Sequence, residues 1–364
     1  MINSLSVENF RCFRKLSVED LGRLNVVVGG NGAGKTALLE SIVLPSGRQD
    51  VVFQLRAHRG MAQPPPLPLK PVYEALWKDL FFQFSQDATI TISLRGTAEN
   101  TRTLRVSYKP ESDAPLLIGF QTKDVASAAQ RVEPVAIVPI TFETDVGGQR
   151  YTSTVGLDTS NPNTMGLVAR GNQAPSAPVM FLTAATGGYN LAPQFSQIDV
   201  KKQKDRLIGA LREVFPIVDD LSLQATFGGM PDLYCTVPDL PEKIPVGLLS
   251  AGIHRFLAVL ISIATTANGV LLVDEVENGI FYGNLERVWQ GIFWFCKEYN
   301  VQLFASTHSR ECLEAVAPLL ARNGDDFRLL RTEVSQDGTH SVRVFKGKDF
   351  EAALRTGIDP RQGS

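Results

Sequence analysis

Residues 29–36 read Gly-Gly-Asn-Gly-Ala-Gly-Lys-Thr, between an apolar run that ends at Val28 and a helix-like run that starts at Ala37. A strand, a glycine-rich turn and a helix start in this order are typical of a phosphate-binding P-loop. Glycines tolerate positive φ, and the amides of the turn and of the helix start can then point at phosphate oxygens. The pattern predicts a nucleoside triphosphate site built from Gly29, Asn31, Gly32, Ala33, Gly34, Lys35 and Thr36.

Two side chains at the end of this loop have predicted chemical roles. The ammonium of Lys35 supplies positive charge to the β- and γ-phosphates. The hydroxyl of Thr36 is the expected ligand of a Mg²⁺ ion that accompanies the nucleotide.

Two carboxylates follow a second buried-strand pattern. Residues 270–273 form a continuous apolar run, and Asp274 and Glu275 come directly after it. A carboxylate at the end of a core strand beside the P-loop can hold Mg²⁺ through water, and its neighbour can orient or deprotonate the attacking water. We therefore predict Asp274 as a metal ligand and Glu275 as the catalytic base.

A further β-type run, residues 301–305, ends in Ser-Thr-His-Ser at positions 306–309. Ligands of open α/β sheets bind at the carboxyl ends of the strands, so His308 can contact a γ-phosphate there. The stretch between Asp274 and His308 has room for one helix and one strand. This spacing favours a catalytic role for His308 over that of an ordinary surface or core histidine.

Residues 248–252 read Leu-Leu-Ser-Ala-Gly and precede an apolar helix pattern. Ser250 is a good helix N-cap, and capping alone would explain it. The alternative is that Ser250 and the amide of Gly252 bind the γ-phosphate of a nucleotide held by a second subunit. The order of this segment relative to the P-loop, Asp274 and His308 favours that second interpretation.

These four motifs resemble an ABC-type ATPase head in their order along the chain, which is the P-loop, Leu-Ser-x-Gly, Asp-Glu and the histidine. Residues 5–11, Leu-Ser-Val-Glu-Asn-Phe-Arg, are similar to the opening of the OLD, RecF and SMC group. Residues 273–280 and 306–312 resemble the stand-alone bacterial OLD-like ATP-binding proteins. The likeness covers roughly residues 1–60 and 178–356. It departs from the pattern at Ala251 and Ile253, where transporters carry Gly and Gln, and at Phe281, where a His is expected.

The resemblance implies an ATPase that uses ATP and Mg²⁺ and forms a head-to-head homodimer. Each composite site would combine Lys35, Thr36, Asp274, Glu275 and His308 of one subunit with Ser250 and Gly252 of the other. The resemblance also implies a sensor or regulatory role in bacterial anti-phage defence with a separate effector or nuclease. The stretch after His308 is shorter than an α/β domain of ordinary size, so we expect no Toprim nuclease domain in this chain.

Two other functions remain open. One is a DNA repair or recombination ATPase that binds DNA directly, and the other is a nucleotide-gated binding platform with negligible turnover. A transporter subunit is disfavoured because the stretch between Lys35 and Ser250 is too long an insertion for one. An AAA+ ring has no need of the Leu-Ser-x-Gly segment. The glutamine that completes the Mg²⁺ shell in ABC heads is Gln54, Gln83 or Gln121.

The predicted fold is α/β, a P-loop ABC-type head with a mostly parallel core sheet, an antiparallel β-subdomain and a helical lobe. Within this single domain of residues 1–364 we expect an inserted β-rich subdomain at 72–177. A helical lobe follows at 178–265 and contains the Leu-Ser-x-Gly segment at 249–252, the signature motif. Residues 266–364 carry Asp274, His308 and a C-terminal hairpin. Val72–Phe84 reads as a helix, and the Gly-, Asn-, Ser- and Thr-rich residues 143–177 read as a mobile loop.

Charge and cysteine usage limit the partners. The net charge of −2 supplies no global basic field for nucleic acid, although a local patch that binds DNA stays open. The four cysteines have no metal-ligand spacing, which is typical of a reducing cytosol. Neither a signal peptide nor a membrane-length apolar run is found, so we expect a cytoplasmic protein.

Overall fold

The structure is a computed structural model, and it describes residues 1–47, 51, 55, 77–96, 101–108, 116–117, 136–137, 140–158, 166–183, 191–225 and 229–355. The described strands are β1 (Ile2–Phe10), β2 (Phe13–Val18), β3 (Leu24–Gly29), β4 (Ile90–Gly96), β5 (Arg102–Ser107), β6 (Leu116–Leu117), β7 (Ala136–Ile137), β8 (Ile140–Val146), β9 (Gln149–Asp158), β10 (Gly166–Gly171), β11 (Val179–Leu182), β12 (Asp220–Ala225), β13 (Pro231–Thr236), β14 (Ile244–Pro245), β15 (Val270–Val273), β16 (Gln302–Ser306), β17 (Phe327–Val334) and β18 (His340–Lys346). The described helices are α1 (Lys35–Val43), α2 (Ala192–Val200), α3 (Lys204–Val214), α4 (Ala251–Thr265), α5 (Leu285–Glu298), α6 (Arg310–Asn323) and α7 (Gly347–Arg355).

A six-stranded sheet forms the centre of the fold, with the strand order β11-β15-β16-β3-β17-β18. Its first five strands are parallel, and β18 returns antiparallel to β17 through a hairpin. All residues of β3, β15 and β16 are buried. A strand covered on both faces needs a continuous apolar run rather than alternation, which explains the pattern in the sequence. The predicted mostly parallel core sheet is confirmed.

The two faces of this sheet belong to different hydrophobic clusters. Alternate residues such as Val26 and Leu271 pack on one face against α4, α5 and α6. Val27, Leu272 and Phe304 face the opposite side, where α1 and a second sheet cover them. Successive side chains of a strand point to opposite faces, so each strand contributes to both clusters.

The second sheet is antiparallel and has seven strands in the order β10-β9-β8-β5-β4-β1-β2. In β4 and β5, buried residues alternate with partly exposed ones, as expected for a sheet with one covered face. The two N-terminal strands join this sheet before the chain enters the core sheet at β3. The predicted antiparallel β-subdomain is therefore present, and it includes strands from the start of the chain.

The prediction of a mobile loop at residues 143–177 is wrong. Strands β8, β9 and β10 occupy most of it, while residues 159–165 lie outside the described residues. Gly147 and Gly148 have φ of 57° and 87°, and Val146 pairs with Gln149, which is a two-residue hairpin of the type that needs positive φ twice. The threonines that resembled a loop composition are instead β-branched residues that favour strands.

Three smaller differences concern helices. Residues 79–84 of the predicted helix Val72–Phe84 form a turn, a bridge and a single 3₁₀ turn, and residues 72–76 lie outside the described ones. The helix predicted at 200–215 begins only at Lys204, because Lys202 has φ of 58° and separates α2 from α3. The predicted helical lobe also contains the three-stranded sheet β12-β13-β14.

Within the described ranges, none of the helices combines the length and the apolar character needed to cross a bilayer.

Candidate functional site

The P-loop connects the end of β3 to the start of α1, and its glycines have the predicted conformation. Gly29, Gly32 and Gly34 have φ of 144°, 75° and 96°. A Cβ atom on Gly29 would lie 2.2 Å from Oγ1 of Thr332, and one on Gly34 would lie 2.9 Å from Sγ of Cys12. The positive φ therefore favours glycine at all three positions, and close packing also requires it at Gly29 and Gly34.

The ammonium of Lys35 lies over this loop. Its Nζ donates hydrogen bonds of 2.9 Å to the carbonyl oxygens of Gly29 and Gly30, and the residue is only 6% exposed. Burial lowers the pKa of Lys35, while the nearby carboxylates of Asp274, Glu275 and Glu277 act in the opposite direction. The Lys35 ammonium is therefore positioned to bind the anionic oxygens of a ligand that the loop surrounds.

The structure brings the P-loop helix and the end of β15 together. Oγ1 of Thr36 donates a hydrogen bond of 3.1 Å to Oδ2 of Asp274. The other carboxylate oxygen, Oδ1, accepts a hydrogen bond from the hydroxyl of Ser306. Strand β16 lies between β3 and β15 in the sheet, so its last residue, Ser306, reaches the carboxylate from the middle strand.

Glu275 has an unusual backbone. Its φ is 53°, a left-handed conformation that is uncommon for a residue other than glycine. The amide of Glu275 donates a hydrogen bond of 2.9 Å to Oγ of Ser306, and its carbonyl accepts one of 3.1 Å from Nη2 of Arg255. The side chain follows Asp274 directly and is only partly buried.

A cavity of about 560 Å³ opens beside the P-loop. Lys35, Thr36 and His308 line it together, and so do Asn31 and Gln83. His308 is exposed, and its backbone amide donates a hydrogen bond of 2.9 Å to Oε1 of Glu277. The chain therefore brings His308 to the same cavity as most of the predicted P-loop residues, whereas Asp274 and Glu275 are not among the described residues that line it. Among the glutamines considered, Gln83 lines this cavity, whereas Gln54 and Gln121 lie outside the described residues.

Ser250 and Gly252 lie at the start of α4. Oγ of Ser250 accepts a hydrogen bond of 3.4 Å from the amide of Ile253, so the residue caps the helix and remains exposed. A Cβ atom on Gly252 would lie 2.7 Å from the carbonyl oxygen of Gly279, which packs the helix start on the segment after Glu275. Among the described residues, neither Ser250 nor Gly252 is part of the cavity that Lys35 lines.

Sequence reasoning missed two residues of this region and left one without an interpretation. Ser306 was recognised only as a neighbour of His308, and Arg255 was read only as part of an apolar helix. Their roles depend on sheet order and on contacts between distant segments. Phe281, where the resemblance predicts a histidine, is 63% exposed, and its ring lies 4.5 Å from that of Tyr282 between centroids.

The chain is similar to several known proteins. Residues 1–95 match the family model described as an AAA ATPase domain. An ATP/GTP phosphatase of Helicobacter pylori is 22% identical over 387 aligned residues, which cover 96% of this chain and 97% of that protein. An OLD nuclease of Thermus scotoductus is 46% identical over 59 residues, which are 16% of this chain and 11% of that nuclease.

Solved structures give a likeness of fold. An Smc head bound to the C-terminal winged-helix domain of ScpA matches with a TM-score of 0.51 and 12% identity, over 96% of this chain and 99% of that one. Fold, motif order and relatives together define a P-loop ATPase with an ABC-type head. Within that class, the chain is similar in part of its sequence to an OLD nuclease and in its fold to an SMC head.

Proposed function

We propose that two copies of this ATPase head associate when ATP binds, and that each composite site hydrolyses ATP to ADP and phosphate. One copy contributes Lys35, Thr36, Asp274, Glu275 and His308, and the other contributes Ser250 and Gly252. The observation that carries the proposal is the division of the motifs within one chain. Lys35, Thr36 and His308 share a cavity and Thr36 is hydrogen-bonded to Asp274, whereas the exposed Ser250 caps α4 and is not among the described residues of that cavity.

Two residues of the copy that carries the P-loop, which we call the nucleotide side of the site, fit a Mg²⁺ ion. The Thr36 hydroxyl and an Asp274 carboxylate oxygen lie 3.1 Å apart, and both are the hard oxygen donors that Mg²⁺ prefers. In our proposal these two residues hold the ion. When bound, such an ion withdraws charge from the β- and γ-phosphates.

Each of the remaining residues has a role in the chemical step. The Glu275 carboxylate accepts a proton from the attacking water, whose oxygen bonds to the γ-phosphorus as the bond to the bridging oxygen of ADP breaks. Lys35 and His308 stabilise the negative charge on the transferred phosphoryl group. The Ser250 hydroxyl and the Gly252 amide of the second copy donate to the same group.

Substitution of Glu275 tests this assignment. Glu275→Gln keeps the size and polarity of the side chain but removes its basicity, so turnover should fall at least about a hundredfold while ATP still binds. Hydrolysis is measured by phosphate release, and binding by titration with Mg-ATP. A Glu275→Gln protein with native turnover would contradict the role of Glu275. Because the Helicobacter pylori relative is named an ATP/GTP phosphatase, GTP belongs in the same assay.

For the biological role, we propose a cytoplasmic sensor or regulatory ATPase of anti-phage defence that acts on a separately encoded effector or nuclease. The support is the resemblance to OLD proteins, together with the local similarity to an OLD nuclease. Co-purification of the Glu275→Gln protein with products of neighbouring genes, with and without ATP, tests for such a partner. The absence of any ATP-dependent partner would contradict the role.

A second candidate is direct action on DNA. A DNA replication and repair protein RecF of Clostridioides difficile is 47% identical over 45 residues, which are 12% of each chain. Binding of the Glu275→Gln protein to duplex DNA that requires ATP and is lost at high salt would favour this candidate.

A further inference from the structure

Glu277 connects the two segments that carry the proposed base and the proposed catalytic histidine. It follows Glu275 by two residues, and its side chain reaches the loop after β16. Oε1 of Glu277 accepts a hydrogen bond of 2.9 Å from the backbone amide of His308 and one of 3.2 Å from that of Ser309. Hydrogen bonds to an ionised carboxylate are among the strong ones in proteins, so this contact restrains the two segments relative to each other.

The loop that carries His308 is fixed on both sides of that residue. The amide of Thr307 donates a hydrogen bond of 3.0 Å to the carbonyl of Val27 in β3, and the side chain of Ser309 caps α6. His308 itself is exposed, and a side chain at the surface is less constrained by packing than a buried one. The direction of its ring therefore depends on the backbone, which Glu277 holds at the amide.

The segment that carries Glu277 is a hydrogen-bonded turn. The amide of Asn278 donates a hydrogen bond of 3.1 Å to the carbonyl of Glu275. Val276, between the two glutamates, is 2% exposed, and its amide donates a hydrogen bond of 3.0 Å to the carbonyl of Ser306. The carboxylate of Glu277 therefore extends from a backbone that is fixed relative to Glu275 and to the end of β16.

The charge of Glu277 gives it a second possible role, which an experiment must separate from the first. Burial lowers the pKa of Lys35, and the charges of Asp274, Glu275 and Glu277 oppose that shift. Oε2 of Glu277 is buried and has no hydrogen-bond partner among the residues that the structure describes. A glutamine at this position would keep an oxygen for the two amides and lose only the charge. It therefore distinguishes a role through the amides from a role through Lys35.

We propose that Glu277 is a positioning residue that sets His308 at the γ-phosphate by holding the backbone amide of His308. The inference rests on the proposed function, in which Glu275 activates the water and His308 stabilises the transferred phosphoryl group. Glu277 fixes the distance between these two groups within one chain. A shift of a reacting group by about 1 Å can cost about a hundredfold in rate, so loss of this contact lowers kcat rather than ATP affinity.

Four proteins test the inference: the native chain, Glu277→Ala, His308→Ala and the double variant. Removal of the carboxylate frees the two amides, so Glu277→Ala should lower kcat by about tenfold to a hundredfold with KM for Mg-ATP unchanged. His308→Ala should be at least as slow. Because Glu277 acts through His308, adding Glu277→Ala to His308→Ala should not lower kcat further. Steady-state phosphate release measures all four.

Two further variants separate the hydrogen bonds from the charge. Glu277→Gln should keep kcat within about threefold of native, since a neutral oxygen still accepts from the amides. Glu311→Ala is the matched control, because it removes an exposed carboxylate from the first turn of α6. Glu311 accepts a hydrogen bond of 2.8 Å from the hydroxyl of Ser309. Glu311→Ala should therefore keep the native kcat.

Three results would overturn the inference. They are native kcat in Glu277→Ala, a kcat of Glu277→Gln as low as that of Glu277→Ala, and a further fall when Glu277→Ala is added to His308→Ala. Native kcat in His308→Ala is a different outcome, because it refutes the role of His308 in the proposed function, and the inference falls with it. Should Glu277→Ala not fold, Glu277→Asp replaces it in the same comparison, since the shorter side chain withdraws its oxygen from the amides.

Discussion

The two halves of the proposed composite site are constructed differently. On the nucleotide side, Lys35 is almost fully buried and lines a cavity with Thr36 and His308, to which several strands and loops contribute. On the signature side, Ser250 is exposed at a helix start, and its hydroxyl accepts a hydrogen bond from the helix itself. The first half is assembled within one chain, whereas Ser250 of the second half is exposed to solvent. This difference is the physical reason for proposing a second copy.

The largest effect is expected from a substitution on the nucleotide side of the site. Lys35→Ala removes charged hydrogen bonds to phosphate, each worth about 1.5–3 kcal/mol, so Kd for Mg-ATP should rise at least about a hundredfold. Lys15→Ala is the control, because that side chain is 80% exposed on the surface. Calorimetric titration measures both. Native affinity in Lys35→Ala would contradict the assignment of the cavity.

A smaller effect is expected from substitution of Ser306, which lies on the same side of the site as Lys35. Ser306→Ala removes the hydroxyl that bonds Asp274 and the amide of Glu275. The bond to the amide is worth about 0.5–1.5 kcal/mol and the bond to the carboxylate about 1.5–3 kcal/mol, so kcat should fall at least about tenfold with little change in ATP affinity. Ser41→Ala is the control, since Ser41 is also buried and donates to the carbonyl of Leu38. Equal kcat in the two variants would show that Ser306 has no role in the step.

The smallest expected effect concerns the signature half. Burial and the charge of Arg255 lower the pKa of His254 below its ordinary 6.5. The unfolded chain, with the ordinary pKa, then binds more protons as the pH falls below about 7, so the free energy of unfolding decreases there. His254→Gln should lose less stability than the native chain between about pH 7.5 and 5.5. Chemical denaturation at the two pH values measures this, and equal losses would contradict it.

How much could be predicted from the sequence depends on how local each feature is. The P-loop conformation and the buried strand before Asp274 follow from short patterns, because glycine at positive φ and continuous apolar runs have direct structural consequences. Ser306 and Arg255 could not be assigned in this way. Ser306 acts because β16 lies between β3 and β15, and Arg255 acts because α4 packs against the segment that follows β15.

The error at residues 143–177 has a similar origin. Glycine, serine and threonine occur both in loops and in strands with tight turns. The pairing of β8 with β9 through Gly147 and Gly148 decides between the two.

The central claim is that Ser250 completes a site on a second copy. The measurement is the solution mass of Glu275→Gln by light scattering, with and without Mg-ATP, beside the same protein carrying Ser250→Arg. A second control carries Ser341→Arg, at an exposed position on the edge strand β18. We predict that ATP doubles the mass of Glu275→Gln and of the Ser341→Arg control, and that Ser250→Arg abolishes this response. A mass that does not respond to ATP, or a response that survives Ser250→Arg, would contradict the account.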